Sequence, residues 1–227
     1  MKTESDHPSE FSAAARIRLN NWAPDLSTAQ LDKCEKYIRE LLRFNKTLNL
    51  ISPSTAVRVD AVHIIDAIRA WSFVGPRVPS GSLIHDFGTG NGLPGLLFAA
   101  LAPDRTFKLL DRDQRKLEFC KHVIAELKLT NVSVRNVDIV DLPEASVQFA
   151  VSRGFASVLK SMSTKALFPV GGSFFMMKGE SWSHELTELP PAAFGVWKPE
   201  MIGQYTLPES TANFVVLQCT KIASAPR

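Results

Sequence analysis

The apolar positions of this chain change period part-way along. Leu31, Cys34, Tyr37, Ile38, Leu41 and Leu42 recur at the spacing of one helix face. Ser27-x-x-Gln30 in front of them reads as a capping box, each side chain satisfying an N–H that the first turn leaves free. A second helix is expected over about 55–71, with Val59, Val62, Ile65 and Ile68 on one side and His63 and Asp66 three apart. Ahead of both, the polar leader over 1–26 offers one short helix, around Phe11–Leu19. Beyond residue 80 short apolar runs alternate with helical stretches. Strands are expected near 82–86, 106–111, 132–137, 147–151 and 173–177, and helices over 96–101, 113–128 and 156–167. Two alternating stretches, 195–206 and 213–221, flank Pro208-Glu209-Ser210 and read as an antiparallel pair. The fold predicted is α/β: a three-layer, doubly wound, Rossmann-like sheet, mostly parallel with a C-terminal antiparallel hairpin. A helical extension over 1–80 precedes a ligand-binding domain over 81–227.

The stretch from Ser82 to Gly95 carries the candidate chemistry. A short strand ends at Asp86, and Gly88, Gly90 and Gly92 follow, where glycine allows positive φ and puts no Cβ between backbone and ligand. Leu93-Pro94 suits a helix start. In an open α/β sheet, ligands lie across the carboxyl ends of such strands. Gly90-x-Gly92-x-x-Gly95 also satisfies the dinucleotide fingerprint, a weak match alone. Two acids point elsewhere. Asp86, just before the turn, repels a pyrophosphate but accepts from an ammonium or a water. Asp111, ending the next strand, can accept both hydroxyls of a ribose. Together they suit S-adenosylmethionine, whose methionine end is a zwitterion.

Composition adds limits. The 227 residues suffice for one large domain with or without a small extension, and a net charge of +3 permits a nucleic-acid partner without arguing for one. No apolar run is long enough to span a bilayer, and Met1–Glu10 is polar, so a cytoplasmic protein is expected, with no membrane partner. Cys34, Cys120 and Cys219 are widely spaced and form no Cys-x-x-Cys pair; buried free thiols are expected and no metal site.

Several motifs, in order, carry a family resemblance. They are Phe44-Asn45-Lys46-Thr47-Leu48-Asn49-Leu50, His63-Ile64-Ile65-Asp66-Ala67, the stretch Asp86–Gly95, Leu109-Leu110-Asp111 with Arg115, Lys116 and Phe119, Ser152-Arg153-Gly154-Phe155-Ala156-Ser157, and Met177-Lys178-Gly179. The chain resembles the bacterial 16S ribosomal RNA guanine-N7 methyltransferases, the glucose-inhibited division protein B family. The resemblance implies a methyl donor touching Gly88 and Leu93, Asp111, the backbone at Ile139-Val140, and Arg153. It departs from the family at Val62, where an arginine is usual, and at Gly154, where alanine is usual; Phe87 after the acid is bulky. The implied partner is 16S ribosomal RNA or a small-subunit assembly intermediate, met by a monomer.

The chemistry also follows from what is absent. Amine methylation typically places Asn/Asp-Pro-Pro-aromatic after the fourth strand, where this chain has Ser152-Arg153-Gly154-Phe155. Methylation of pyrimidine C5 needs a cysteine nucleophile, and none sits at a strand end near the turn. Guanine N7 carries an in-plane lone pair and no proton, so attack on a sulfonium methyl needs orientation rather than a base. Arg153 is either a group at the cofactor or base, the favoured reading, or an ion-pair partner of Asp86 or Asp138. His63 and Asp66 either pack or line the substrate entrance. Lys178 is a candidate phosphate contact, as are the basic face of Lys36, Arg39, Arg43 and Lys46 and the group Arg112, Arg115, Lys116 and Lys121. A small-molecule methyltransferase, an NAD-binding oxidoreductase and a non-catalytic binder of S-adenosylmethionine are the alternatives.

Overall fold

The computed structural model describes residues 7–224, with side chains from residue 13. Part of the polar Met1–Glu10 stretch therefore lies outside the described residues. Four helices come first: α1 (His7–Trp22), α2 (Thr28–Leu48), α3 (Pro53–Ala56) and α4 (Asp66–Val74). Then come β1 (Leu83–Phe87), α5 (Gly95–Leu101), β2 (Thr106–Asp111), α6 (Gln114–Glu126), β3 (Val132–Asn136), β4 (Phe149–Arg153) and α7 (Val158–Met162). β5 (Ser173–Lys178), α8 (Trp182–Thr187), α9 (Pro191–Phe194), β6 (Trp197–Thr206) and β7 (Asn213–Lys221) complete the order. One seven-stranded sheet runs β3-β2-β1-β4-β5-β7-β6; β1 to β5 are parallel, and β7 is antiparallel to both its neighbours. The doubly wound sheet with its terminal hairpin is the architecture expected.

Strand periodicity sorts side chains between two cores. Val151, Phe175 and Met177 face one side with Ile84, Leu109 and Val216, and there they meet α1, α2, α4, α5 and α6. Ala150, Phe174 and Met176 face the other with Phe87, Phe168 and Trp197. Leu19, Cys34, Tyr37, Leu41 and Ile64 of the helical extension share the first core with the sheet. We propose 1–80 and 81–227 as the two parts of the chain, joined through that core.

The expected helix over 55–71 is interrupted. After α3 the chain makes a turn, winds as a π-helix over Asp60–Ile65, and only then enters α4. Asp60 in that segment is wholly buried and accepts from the Arg18 guanidinium of α1, which anchors the wider turn. Wide turns of this kind recur near functional sites. The helix expected over 156–167 starts late, at Val158, because Gly154 (φ +62°) turns the chain away after β4 and Ser157 caps α7 instead. It ends as a tight 3-10 stretch over Ser163–Leu167. The peptide between Leu93 and Pro94 is cis, and α5 begins at the next residue.

Candidate active site

The strand order reverses between β1 and β4, the place where open α/β sheets bind ligands. A cleft of about 400 Å³ opens there. One wall is the glycine turn, at Gly88, Gly90 and Leu93; Arg153 and Gly154 come from the end of β4; His63, the segment Leu50–Ser52 and Thr55 of α3 come from the helical extension. The volume falls in the range of small-molecule sites, about 300–1,000 Å³.

Gly88, Gly90 and Gly92 all have positive φ, at +63°, +55° and +86°. Space is the second demand at two of them. A Cβ on Gly88 would stand 2.6 Å from the Phe155 ring, and one on Gly92 would collide with Leu96. At Gly90 the surroundings are open, the nearest atom lying 3.8 Å away.

Two acids brace this turn. Asp86 is 1% exposed, and its Oδ2 accepts from Thr89 Oγ1 (2.7 Å) and the Gly95 N–H (2.9 Å). Its Oδ1 is buried with no hydrogen-bond partner among the described residues. Burial pushes this carboxyl up to about 7, against the hydrogen bonds of Thr89 and Gly95. Asp111 is half-buried; Oδ2 accepts from the Gly90 N–H (2.8 Å) and Oδ1 from the Asp113 N–H (2.9 Å). Each carboxylate oxygen offers two lone pairs, so one bond apiece leaves acceptor capacity on both.

These bonds bear on the dinucleotide alternative. A pyrophosphate would sit on the N–H groups that open α5. Here the Gly95 N–H goes to Asp86 and the Leu93 N–H to Asn91 Oδ1. The Asp86 carboxyl already takes the N–H that an anion would use.

Arg153 shares the parity of Val151 and so faces the helical extension. Its Nη1 lies 2.9 Å from His63 Nδ1 and 3.2 Å from Asp66 Oδ2, and Asp66 Oδ1 accepts from the Tyr205 hydroxyl at 2.6 Å. The partner of Arg153 is therefore Asp66, not Asp86 or Asp138; Asp138 pairs with Arg112 at 3.3 Å. The network joins the π-helix, α4, β4 and β6. His63 is pushed down to about 3, first by burial and then by the Arg153 charge, so its ring is neutral. Burial raises Asp66 above the usual carboxylate range, opposed by Arg153 and Tyr205.

Lys178 takes the other parity, that of Met176, and lies on the opposite face of the sheet from Arg153. Its ammonium donates to the Ala156 carbonyl and to Glu185, both at 2.7 Å, and ties β5 to α8. Lys178, expected as a phosphate contact, does not line the cleft; its half-buried ammonium is engaged by Ala156 and the half-buried Glu185. Asp111, Ile139 and Val140 do not line the cleft itself. They lie past the turn, where the Val137 N–H bonds Asp111 O at 3.2 Å, with Ile139 buried and Val140 73% exposed. On the basic face Arg39 is exposed, whereas Arg43 is tied to Glu40 and to His122 Nε2 (2.9 Å), and Lys36 to Glu126 (2.8 Å). Tyr37, expected only as an apolar position of its helix, donates its hydroxyl to the Asn91 carbonyl at 2.8 Å and fixes α2 against the turn.

Among the described residues, no cluster of three or more His, Cys, Asp or Glu could hold a metal, and no helix is long and apolar enough to cross a membrane. Burial pushes the thiols of Cys34, Cys120 and Cys219 up, which leaves them protonated and poor nucleophiles.

Comparison with known proteins places this geometry. A family model described as GidB, rRNA small subunit methyltransferase G, matches residues 30–196. Ribosomal RNA small subunit methyltransferase G 3 of Bdellovibrio bacteriovorus is 41% identical over 207 residues, 91% of this chain and 94% of that protein. Ribosomal RNA small subunit methyltransferase G of Cellvibrio japonicus is 33% identical over 178 residues, 75% of this chain and 81% of its own length. Among solved structures, a SAM dependent methyltransferase from Aquifex aeolicus superposes with a TM-score of 0.55 at 13% identity, over 75% of this chain and 99% of that one; at such identity the likeness is one of fold.

Proposed function

The chain belongs to the rRNA small subunit methyltransferase G family, and from that premise we propose that it transfers a methyl group from S-adenosylmethionine to N7 of a guanine in 16S ribosomal RNA. The observation that carries the reading is the cleft at the switch point, where a glycine turn braced by two acids meets Arg153 and the helical extension. The residues fit the cofactor. Asp111 keeps lone pairs for a ribose, Gly90 leaves open space, Gly88 and Leu93 form the turn, and Asp86 beneath it disfavours an anion while favouring a cation. Ile139 and Val140, beyond Asp111, would contact the cofactor through their backbone.

The chemistry that S-adenosylmethionine supplies is an electrophilic methyl on a sulfonium. The protein's part is to orient the acceptor, exclude water and tolerate positive charge. Arg153, countered by Asp66, orients His63 and the cleft wall without adding net charge. No side chain need take a proton from N7. We assign the protein to the cytoplasm and take it to act as a monomer.

The reading is tested by incubating purified protein with cofactor and unmodified small-subunit RNA. Borohydride and aniline should release the modified base and cut the RNA strand at its position. Methyl found on an exocyclic amine, a ring carbon or a ribose would overturn it. Binding supplies a second check. Asp111→Ala should weaken S-adenosylmethionine and its demethylated product alike, about ten- to a hundredfold by equilibrium titration, since a charged acceptor is lost and the Gly90 N–H is released. Unchanged affinity would remove Asp111 from the site.

RNA contact is the third point. Phosphate contacts from arginine and lysine bind without reading sequence and weaken with salt. Arg39 and Lys46, exposed on α2, are the groups proposed to make them, with Arg112, Arg115 and Lys116 on the far side of the turn. Arg43 contributes less, being held by Glu40 and His122. Arg39→Ala with Lys46→Ala should raise the Michaelis constant for RNA and flatten its salt dependence by about two phosphate contacts. A salt slope equal to the parent's would make this face a solvated one.

A further inference from the structure

Several of the polar groups at the cleft are already bonded. Ser52 and Thr55 bond to each other at 3.0 Å, and Thr55 Oγ1 also donates to the Ser52 carbonyl. The Gly90 N–H is taken by Asp111. Lys116 is a half-buried cation suited to a phosphate. His63 is different. A guanidinium has N–H donors and no acceptor, so its 2.9 Å bond from Arg153 Nη1 makes His63 Nδ1 the acceptor. The ring proton therefore sits on Nε2. That nitrogen is buried and has no hydrogen-bond partner among the described residues. A buried N–H without an acceptor is uncommon in folded proteins and calls for a reason.

The Hoogsteen edge of guanine supplies one. Beside N7 it presents O6, a second acceptor, where adenine presents an amino donor. We propose that His63 identifies the target base, its Nε2–H donating to O6 of the guanine whose N7 is methylated. This rests on the N7 reading above and extends it to a named specificity residue. The arrangement suits the reaction in two ways. A neutral donor adds no charge beside a base that becomes cationic as the methyl arrives, whereas an imidazolium would repel it. Arg153 both fixes the tautomer and helps keep the ring neutral, and Asp66 at 3.2 Å offsets the charge of Arg153 itself. Nε2 is closed to water in the free protein, so the side chains that cover it must give way for the base to reach it.

A functional-group cycle tests the proposal. The modified position is first mapped in the wild type; a product other than 7-methylguanine would sink the premise before any variant is made. RNA carrying 2-aminopurine at that position, which lacks both O6 and the N1 proton of guanine, should then be methylated about ten- to a hundredfold more slowly in kcat/KM. His63→Ala should lose a similar factor on guanine and little more on 2-aminopurine, while its affinity for S-adenosylmethionine stays that of the parent. His63→Gln, which can donate from its amide, should recover part of the loss on guanine. Two losses that multiply would show that His63 and O6 do not meet, and a wild type indifferent to O6 would overturn the proposal at once. Should His63→Ala lose cofactor affinity or fail to fold, His63→Phe replaces it, and the wild-type comparison of the two bases decides if both fail.

Discussion

Arg153→Ala is expected to lower methyl transfer about a hundredfold, the scale of effect that a misplaced reacting group produces, and to destabilise the fold at the same time. The two losses arise from different ends of one guanidinium. Toward the cleft, Arg153 fixes His63 and the wall beside it. Toward the core, it pairs with Asp66, whose carboxyl is buried. Breaking a buried pair from one side costs about 3–5 kcal/mol; the lower end applies here, because Tyr205 still donates to Asp66 at 2.6 Å. Burial already raises Asp66, and loss of Arg153 raises it further. A carboxyl whose folded pKa exceeds its unfolded value holds more protons in the folded state, so its penalty is full above the folded pKa and shrinks as pH falls through it. The melting-temperature deficit of Arg153→Ala should accordingly be larger at pH 8 than at pH 5. Adding Asp66→Asn should restore much of the melting temperature at pH 8 without restoring transfer. Arg153→Lys should regain stability but not activity, since one ammonium lacks the planar fork. Recovery of transfer along with the melting temperature in the Asp66→Asn background would reduce Arg153 to a structural pair.

What the amino-acid pattern could disclose here depended on range. The alternation of strands and helices, the terminal hairpin and the capping box are local signals, and the fold follows them. The glycine turn is local too, and Gly88, Gly90 and Gly92 all adopt the positive φ for which only glycine is well suited. Parity along the strands was equally readable: Val151 and Arg153 on one face, Met176 and Lys178 on the other. Nothing local says which face the helical extension covers, and that decides why Arg153 lines the cleft while Lys178 is fastened to Glu185 behind the sheet. The partners of Arg153 come from 87 and 90 positions earlier in the chain, beyond any spacing argument. The helix over 55–71 kept an apolar stripe through its break, so periodicity gave no sign of the π-helix; buried Asp60 within it was the available hint. α8 and α9 are short and largely exposed, and without an apolar stripe they left no signal.

Asp86→Asn is expected to make the protein less stable than its parent in acid and more stable above neutrality, a reversal rooted in one buried carboxyl. Asp86 is 1% exposed, braces the turn through Oδ2 and leaves Oδ1 without a partner among the described residues. Its pKa stands at about 7, raised chiefly by burial, whereas an unfolded aspartate ionises near 3.9. Between those values the folded protein holds a proton that the unfolded chain has released. The stabilisation is fully present below the unfolded pKa and is lost as pH rises through the folded one, about 4 kcal/mol across the window. Asparagine keeps an acceptor for Thr89 and the Gly95 N–H and does not titrate, so the variant's melting temperature should change less between pH 4 and pH 8 than the parent's. The same charge gives an acid at this place a use in binding. Once ionised beneath the turn, in surroundings of low dielectric, Asp86 attracts a cation strongly. S-adenosylmethionine carries a sulfonium that its thioether product lacks. In the parent, the affinity ratio of cofactor to product should therefore rise from pH 6 to pH 8, and in Asp86→Asn it should stay level. Parallel melting curves for the two proteins would mean that Asp86 is ionised throughout, and a level ratio in the parent would mean that its charge does not reach the cofactor.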